Sequence, residues 1–319
     1  MIIVTGGSGF IGSNLIQALN SIGHEDIMVI DDLSDGKKLT NLFTSRICEI
    51  RSFKEIDDIL ETCFPEKITA IFHLGACSDT MEWNGDFVLK VNYQFSKKIL
   101  DFSIREKIPF IYASSASVYG LVKDSQITEA NERPINLYAY SKLLFDQYVR
   151  SVLPSAQSQI VGLRYFNVYG PGEQHKGNMA SVVYHFYYQV VNTGKISIFG
   201  SYNEIGAGEH SRDFIHVKDT VEAKIWFMNN PKICGIFNVG TGQSFSYNML
   251  AKYLSGWFEE NQGIIPIIEY IKFPEKLIGS YQDFTCADIS QLRTAGFEHK
   301  MLDLKKGMNH YLDFLHSQP

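Results

Sequence analysis

Hydrophobic and polar positions in the first half of the chain alternate between two patterns. Five short apolar runs have the length and residue types of buried strands: residues 1–5, 26–30, 70–73, 110–113 and 160–164. Three longer segments between them are predicted to be helices: residues 11–22, 87–105 and 137–153. Pro154 is expected to end the last helix. Strands that alternate with helices predict a parallel sheet with helices on both faces.

The second half of the chain is less regular. After Gly170-Pro171 it is rich in Gly, Tyr and Asn, which indicates a second, smaller α/β domain. Residues 213–217 and 237–239 again resemble buried strands and are expected to return to the main sheet. The predicted fold class is therefore α/β, a Rossmann-type doubly wound parallel sheet with a smaller α/β domain. The predicted division gives residues 1–166 to the first domain, with a return around 214–242, and residues 167–213 and 243–319 to the second.

Composition and charge narrow the function classes. With 29 basic and 35 acidic residues the net charge is −6, and the chain has no long basic run, so nucleic acid is not an expected partner. The longest apolar runs fall well short of ~18 residues, and no membrane span is expected. The five scattered cysteines form no Cys-x-x-Cys pair, so neither a disulfide framework nor a metal site is expected. Reduced thiols fit a cytoplasmic protein.

A glycine loop joins the first strand to the first helix. Its spacing is Gly6-x-x-Gly9-x-x-Gly12. Glycines at these positions permit a tight turn and a close approach of the backbone to a pyrophosphate, and the helix N-terminus adds N–H donors. The loop therefore predicts a dinucleotide site.

The second strand ends in Asp31-Asp32, about 20 residues after the loop. A carboxylate there can hold ribose hydroxyls and would favour NAD. Lys37, Lys38 and Arg51 follow, and cations can pair with a 2′-phosphate. From these residues alone, NAD and NADP both remain possible.

Tyr138 and Lys142 are four residues apart on a predicted helix and share one face. A nearby ammonium is expected to lower the pKa of the phenol, which would make an acid/base group. Ser115 follows the strand at residues 110–113. The glycine loop, Ser115 and Tyr138-x-x-x-Lys142 occur in the order that is typical of the extended short-chain dehydrogenase/reductase superfamily.

Further segments resemble one family of that superfamily, the ADP-L-glycero-D-manno-heptose 6-epimerases. The similarity runs nearly end to end and is most specific at residues 175–177 and 273–282. It also includes residues 75–78, 82–83, 92–94, 164–171 and 212–217. The segment from Tyr202 to His210 is a few residues longer than in that family.

The resemblance implies an activity. NADP would oxidise C6″ of ADP-D-glycero-D-manno-heptose and then reduce the ketone from its other face, giving the L-glycero epimer for the lipopolysaccharide core. Tyr138 and Lys176 would be the two acid/base groups, Ser115 would hold the reacting oxygen, and Lys142 would bind the nicotinamide ribose. His175 is an alternative base. Without the resemblance, Lys176 would be interpreted as a solvated loop charge.

The resemblance and the motifs together give the predicted contacts. The cofactor, NADP with NAD possible, is expected to contact Gly6, Gly9, Phe10, Ile11, Gly12, Asp31, Asp32, Lys38, Arg51, Leu74, Gly75, Ala76, Cys77, Ser78, Asn92, Tyr138, Lys142, Val168 and Lys176. The ADP-heptose substrate is expected to contact Ser115, Asn167, Asn178, His185, Phe199, Ser201, Arg212 and Tyr281. Cys77 could instead be a small buried filler, and Arg212 could pair with Asp213. The family also implies a homo-oligomer, with a homopentamer as the expected form.

Three other functions predict different residues or a different reaction. A nucleotide-sugar dehydratase of the same superfamily would place an Asp-Glu pair where this chain has Ala116-Ser117. A reductase would consume NADPH with a keto-sugar. A cofactor-sensing binding protein would be expected to lack Tyr138, Lys142 or Ser115, and all three are present.

Overall fold

The computed structural model describes residues 1–279 and 281–318. Ser280, in the segment 273–282, and Pro319, in the predicted second domain, lie outside the described residues. The strands in the described part are β1 Ile2–Thr5, β2 Ile27–Asp31, β3 Glu49–Ser52, β4 Ala70–His73, β5 Phe110–Ser115, β6 Ile160–Tyr165, β7 Asn167–Tyr169, β8 Lys195–Phe199, β9 Ser211–Arg212, β10 Phe214–His216, β11 Gly235–Val239, β12 Phe245–Ser246 and β13 Ile267–Ile271.

The α-helices in the same residues are α1 Phe10–Ser21, α2 Ile56–Thr62, α3 Gly85–Leu89, α4 Phe95–Glu106, α5 Leu137–Val152, α6 Val182–Thr193, α7 Val217–Asn229, α8 Tyr247–Gln262, α9 Ser290–Thr294 and α10 Leu304–Ser317. Short 3₁₀ turns connect several of them, and one turn between α3 and α4, Lys90–Gln94, is a π-helix.

Seven parallel strands form the central sheet, in the order β11-β6-β5-β4-β1-β2-β3. Successive side chains of a strand point to opposite faces, so β1 sends Val4 into one apolar layer and Ile3 into the other. One layer lies under α1 and α7, and the other lies under α4 and α5. Burial on both faces explains why the strands are continuous apolar runs. The predicted fold class is confirmed.

A smaller unit is formed by segments that come before and after β11 along the chain. Its core is formed mainly by α6, α8 and α10 with the strand β8. Strands β8 and β13 pair in parallel, and β9 pairs antiparallel with β12. The domain boundaries given above remain a prediction.

Two predicted elements differ from the structure. Residues 87–105 are helical throughout, as predicted, but the segment contains a π-helical turn between α3 and α4 that was not expected. The run at residues 213–217 does not join the main sheet: its strand β10 pairs with β7, and only β11 returns to the sheet, beside β6. An apolar run shows that a strand is buried but does not show which neighbour it pairs with.

Candidate active site

The glycine loop and the start of α1 form one end of a cavity of about 390 Å³. Gly6 has φ +68°, and a Cβ on Gly12 would lie 2.2 Å from the Gly6 carbonyl oxygen. The loop is therefore packed backbone against backbone, as only glycine allows. Gly9 is the N-cap of α1 and offers no side-chain hydrogen bond, so first-turn N–H groups remain available to an anion.

Asp31 lies at the end of β2 in the same cavity and is largely used by the protein itself. Its Oδ2 accepts hydrogen bonds from Ser8 N at 2.8 Å and from Ser8 Oγ at 2.5 Å. Its Oδ1 accepts from the Asp32 N–H and from Lys38 Nζ at 2.6 Å. His175 lies near this pair, and the pKa of its imidazole is lowered by burial and by the charges of Lys176 and Lys38.

Helix α5 brings Tyr138 and Lys142 to the lining of the same cavity. The Asn136 side chain caps the helix by accepting from Ala139 N. Ser115 ends β5 and also lines the cavity. Lys142 is 5% exposed, and its Nζ donates to the Ala113 carbonyl at 2.9 Å.

The expected lowering of the Tyr138 pKa is not found in this structure. Burial raises the pKa of Tyr138, and a hydrogen bond with Ser115 only partly opposes that effect. Lys142 Nζ is 6.0 Å from the Tyr138 ring centroid, and burial lowers its own pKa to about 8. Both groups are therefore shifted towards their neutral forms.

Lys176 enters the cavity from the 3₁₀ turn Gln174–Met179. Glu173 anchors the start of this turn, since it accepts from Ser181 Oγ and from Gly170 N. The ammonium of Lys176 lies 5.6 Å from the Phe10 ring centroid. Burial lowers its pKa, and the charge of Glu173 opposes that shift. The interpretation of Lys176 as a solvated charge does not fit this position.

Three of the predicted substrate residues meet in an aromatic cluster beyond this cavity. The Phe199 and Tyr281 rings are 6.2 Å apart, and the Arg212 guanidinium lies 4.8 Å from the Tyr281 ring centroid. The carboxylate of Asp213 accepts from Thr241, Gly242 and Ala287 instead of Arg212. The remaining predicted substrate residues lie in the structure as follows: Asn167 in β7, Asn178 exposed in the 174–179 turn, His185 on α6, and Ser201 exposed after β8.

The sequence predicted no substrate contact for the other rings of this cluster. Tyr202 stacks on Phe273 at 4.1 Å, and His210 is 1% exposed beside Tyr281. Tyr202 and His210 bound the segment that was predicted to be a few residues longer than in the resembling family. An aromatic residue in an irregular segment gives no periodic signal, so only the extra length pointed to them.

Most predicted cofactor residues line the cavity, but four do not. Arg51 forms ion pairs with Glu49, Glu55 and Asp58 instead. Asp32 is exposed. The other two, Asn92 and Cys77, are hydrogen-bonded to each other. The side-chain amide of the fully buried Asn92 accepts from the N–H of half-buried Cys77 and donates to its carbonyl.

Further residues line the cavity that were not predicted to contact the cofactor: Ala113, Ser114, Tyr165, Phe166 and His175. The first four lie at or just past the carboxyl ends of β5 and β6, which is the edge where α/β sheets bind ligands. Among residues 1–279 and 281–318, no group of three His, Cys, Asp or Glu side chains is placed to hold a metal ion. Over the same residues, no helix is both long and apolar enough to cross a membrane.

Comparisons with known proteins agree with this geometry. Residues 2–240 match the model of the NAD dependent epimerase/dehydratase family. An ADP-L-glycero-D-manno-heptose-6-epimerase of Alkalilimnicola ehrlichii is 45% identical, over 100% of this chain and 98% of the relative.

Solved structures show the same likeness. The Helicobacter pylori ADP-L-glycero-D-manno-heptose-6-epimerase superposes with a TM-score of 0.83 and 31% identity, covering 99% of this chain and 96% of that one. The UDP-N-acetylglucosamine 4-epimerase of Methanobrevibacter ruminantium, solved with UDP-N-acetylmuramic acid, gives a TM-score of 0.81 and 27% identity over 100% and 98% of the two chains.

Proposed function

The chain belongs to the ADP-L-glycero-D-manno-heptose 6-epimerases within the NAD-dependent epimerase/dehydratase family, and on that premise we propose that it inverts C6″ of ADP-D-glycero-D-manno-heptose. One observation carries the proposal. Two proton-carrying groups from different elements, Tyr138 on α5 and Lys176 on the 174–179 turn, line a single cavity. Inversion of a carbinol carbon needs an acid/base group for each face, and a one-sided reductase needs only one.

The cavity fits a dinucleotide, because the glycine loop, the free first turn of α1 and Asp31 line one end of it. A nicotinamide cofactor, when bound, supplies the reversible oxidation of C6″. Tyr138 keeps its proton in the free enzyme, because burial raises its pKa, and Ser115 orients it by hydrogen bonding. Lys142 Nζ, held at the Ala113 carbonyl, offers its remaining protons to the ribose side of the cavity.

Lys176 provides the second proton carrier. Its lowered pKa brings the neutral amine closer to the working pH, which a general base requires. Glu173 fixes the backbone that presents it. His175 is not one of the two proton carriers, since its Nδ1 is 3.3 Å from Asn41 Nδ2 beside the Asp31–Lys38 pair.

The proposed cofactor is NADP. The Asp31 carboxylate already accepts from Ser8, Asp32 and Lys38, which leaves it little capacity for a ribose 2′-hydroxyl. Lys38 and His175 lie near it and could face a 2′-phosphate. Mass spectrometry of the cofactor released from purified protein distinguishes NADP from NAD.

Incubation with ADP-D-glycero-D-manno-heptose tests the activity. We expect conversion to the L-glycero epimer without net NADPH consumption. NMR spectra of the sugar monitor this conversion. Tyr138→Phe and Lys176→Met should each slow conversion by about 10²–10⁴-fold, the usual contribution of an acid/base group. His175→Gln, assayed at saturating NADP so that weaker cofactor binding has no effect, tests the alternative base and should retain turnover.

The outcomes separate the candidate functions. No epimer at full cofactor occupancy would exclude the proposal, and net NADPH oxidation would indicate a reductase. A near-normal rate for Lys176→Met would remove that lysine from catalysis. We further propose that the protein is cytoplasmic and forms a homo-oligomer, a pentamer by family likeness. Light scattering of the purified protein measures the number of subunits.

A further inference from the structure

A buried chain of hydrogen bonds runs beneath the cofactor cavity and is centred on His73, at the end of β4. His73 is 1% exposed. Its Nδ1 lies 2.8 Å from Thr5 Oγ1 and its Nε2 lies 2.7 Å from Ser96 Oγ. These partners belong to β1 and α4, so one imidazole bridges three elements.

The bonding pattern assigns the proton on this imidazole. Ser96 Oγ donates its own hydrogen to the Asn92 carbonyl at 2.7 Å, so the hydrogen between Ser96 and His73 must come from Nε2. Burial and the charge of Lys142 lower the pKa of His73 to about 3, so the ring is neutral. Nδ1 is then an acceptor, and Thr5 Oγ1 donates to it.

On the cofactor side, the Thr5 hydroxyl holds a turn of the cavity wall. Its oxygen accepts from Leu74 N at 3.2 Å and from Gly75 N at 3.1 Å. Gly75 N in turn would lie 2.6 Å from a Cβ on Gly6, so this turn packs directly against the glycine loop. Leu74 and Gly75 both line the cavity.

On the catalytic side, the chain continues through the π-helical turn. Asn92 lies in this turn, and its Nδ2 donates to Ser141 Oγ at 3.0 Å and to the Cys77 carbonyl at 2.9 Å. Ser141 Oγ donates to the Tyr138 carbonyl at 2.7 Å. The π turn thereby connects the wall of the cavity to the first turn of α5.

We propose that His73 is a positioning residue: as a neutral Nε2–H imidazole it ties the Leu74-Gly75 turn to the Asn92 turn, and so fixes the distance between the glycine loop and Tyr138. Every hydrogen bond of the chain has one donor and one acceptor, and the five side chains that form it are at most 2% exposed, so the chain admits a single arrangement. Apolar packing does not require an imidazole here, because the ring stacks on Phe110 at 5.6 Å as a phenyl ring could.

The first test uses the unmodified protein. ¹⁵N NMR of histidine-labelled protein should show His73 as the neutral Nε2–H tautomer from pH 5 to 9. An Nδ1–H tautomer, or a protonated ring at pH 7, would overturn the proposal.

The second test is a matched pair at Thr5. Thr5→Val keeps the shape and removes the hydroxyl, and we expect NADPH to bind about tenfold more weakly, as losing bonds to two buried N–H groups predicts. Thr5→Ser keeps the hydroxyl and should bind within about twofold of the parent protein. A purely structural role would lower the unfolding midpoint of Thr5→Val while folded protein retained its NADPH affinity, and that result would refute positioning.

A double variant tests the link to α5. Thr5→Val and Ser141→Ala remove the two ends of the chain, and their effects on the NADPH dissociation constant should be non-additive by about threefold or more. Additive effects would mean that the ends are independent. The turnover of the heptose rests on the proposed function, NADPH affinity rests only on the proposed cofactor, and the tautomer rests on neither, so a failed heptose assay leaves the last two results interpretable.

Discussion

At the level of single residues, burial and not the four-residue spacing decides the protonation of Tyr138 and Lys142. The four-residue spacing correctly predicted one helix face, because it depends only on helix geometry. The protonation of the pair could not be predicted, because it depends on how much water the fold removes. The cavity shifts the tyrosine pKa up and the lysine pKa down, to about 8.

This shift predicts a pH dependence of cofactor binding. The free enzyme loses the Lys142 proton as the pH rises through about 8, whereas bound cofactor would favour the ammonium. NADPH affinity should therefore be constant below pH 8 and fall by up to about tenfold per pH unit above it. Fluorescence titration between pH 6.5 and 9.5 measures this.

The matched variant is Lys142→Met. It should bind NADPH more weakly at pH 7 and show no fall between pH 8 and 9.5. If the variant kept the slope of the parent protein, another group would be titrating.

At the level of elements, the sequence predicted those whose burial is periodic. The strands at residues 70–73 and 160–164 were placed to within a residue, because both faces are apolar. The π-helical turn was not predicted, because its contacts are polar and distant in sequence: Asn92 bonds Cys77 and Ser141. Lys176 was placed by family resemblance alone, since a lysine in a loop has no pattern that reveals burial.

The tight packing of the glycine loop predicts that a methyl group at Gly12 weakens cofactor binding. In Gly12→Ala the new methyl would lie 2.2 Å from the Gly6 carbonyl oxygen and 2.8 Å from Gly7 Cα, and neither backbone atom can move without opening the turn. NADPH affinity should fall by about 10- to 100-fold, in line with the cost of overpacking. Isothermal titration calorimetry gives the value.

Gly256→Ala is the control for a glycine-to-alanine change. Gly256 lies within α8, and nothing is within 4 Å of the place of its Cβ. We expect its free energy of unfolding to rise by about 0.5–1 kcal/mol and its NADPH affinity to stay unchanged. Equal NADPH affinity for the two variants would show that the turn tolerates a methyl group.

For the whole molecule, the alternation of strands and helices predicted the fold class. It did not predict the buried ion pairs and hydrogen bonds that join these elements. Arg164 on β6 is fully buried and forms ion pairs with Asp146 on α5 and with Glu132. It also donates to Tyr119 Oη, which donates to Asn238 on β11. These residues are far apart in sequence and polar, so no local pattern brings them together.

This network predicts a large loss of stability for Arg164→Met. The variant would leave the carboxylates of Asp146 and Glu132 buried without Arg164 as a partner, and breaking one side of a buried ion pair costs about 3–5 kcal/mol. Urea unfolding followed by circular dichroism measures the change.

Arg46→Met is the control, because the Arg46 pair with Glu25 is exposed on both sides and should contribute less than about 1 kcal/mol. If both variants lost the same small free energy of unfolding, the buried network would not be needed to hold β6, α5 and β11 together. A large loss for Arg164→Met alone would show that one cation holds α5, which carries Tyr138, against the sheet whose strand β5 ends at Ser115.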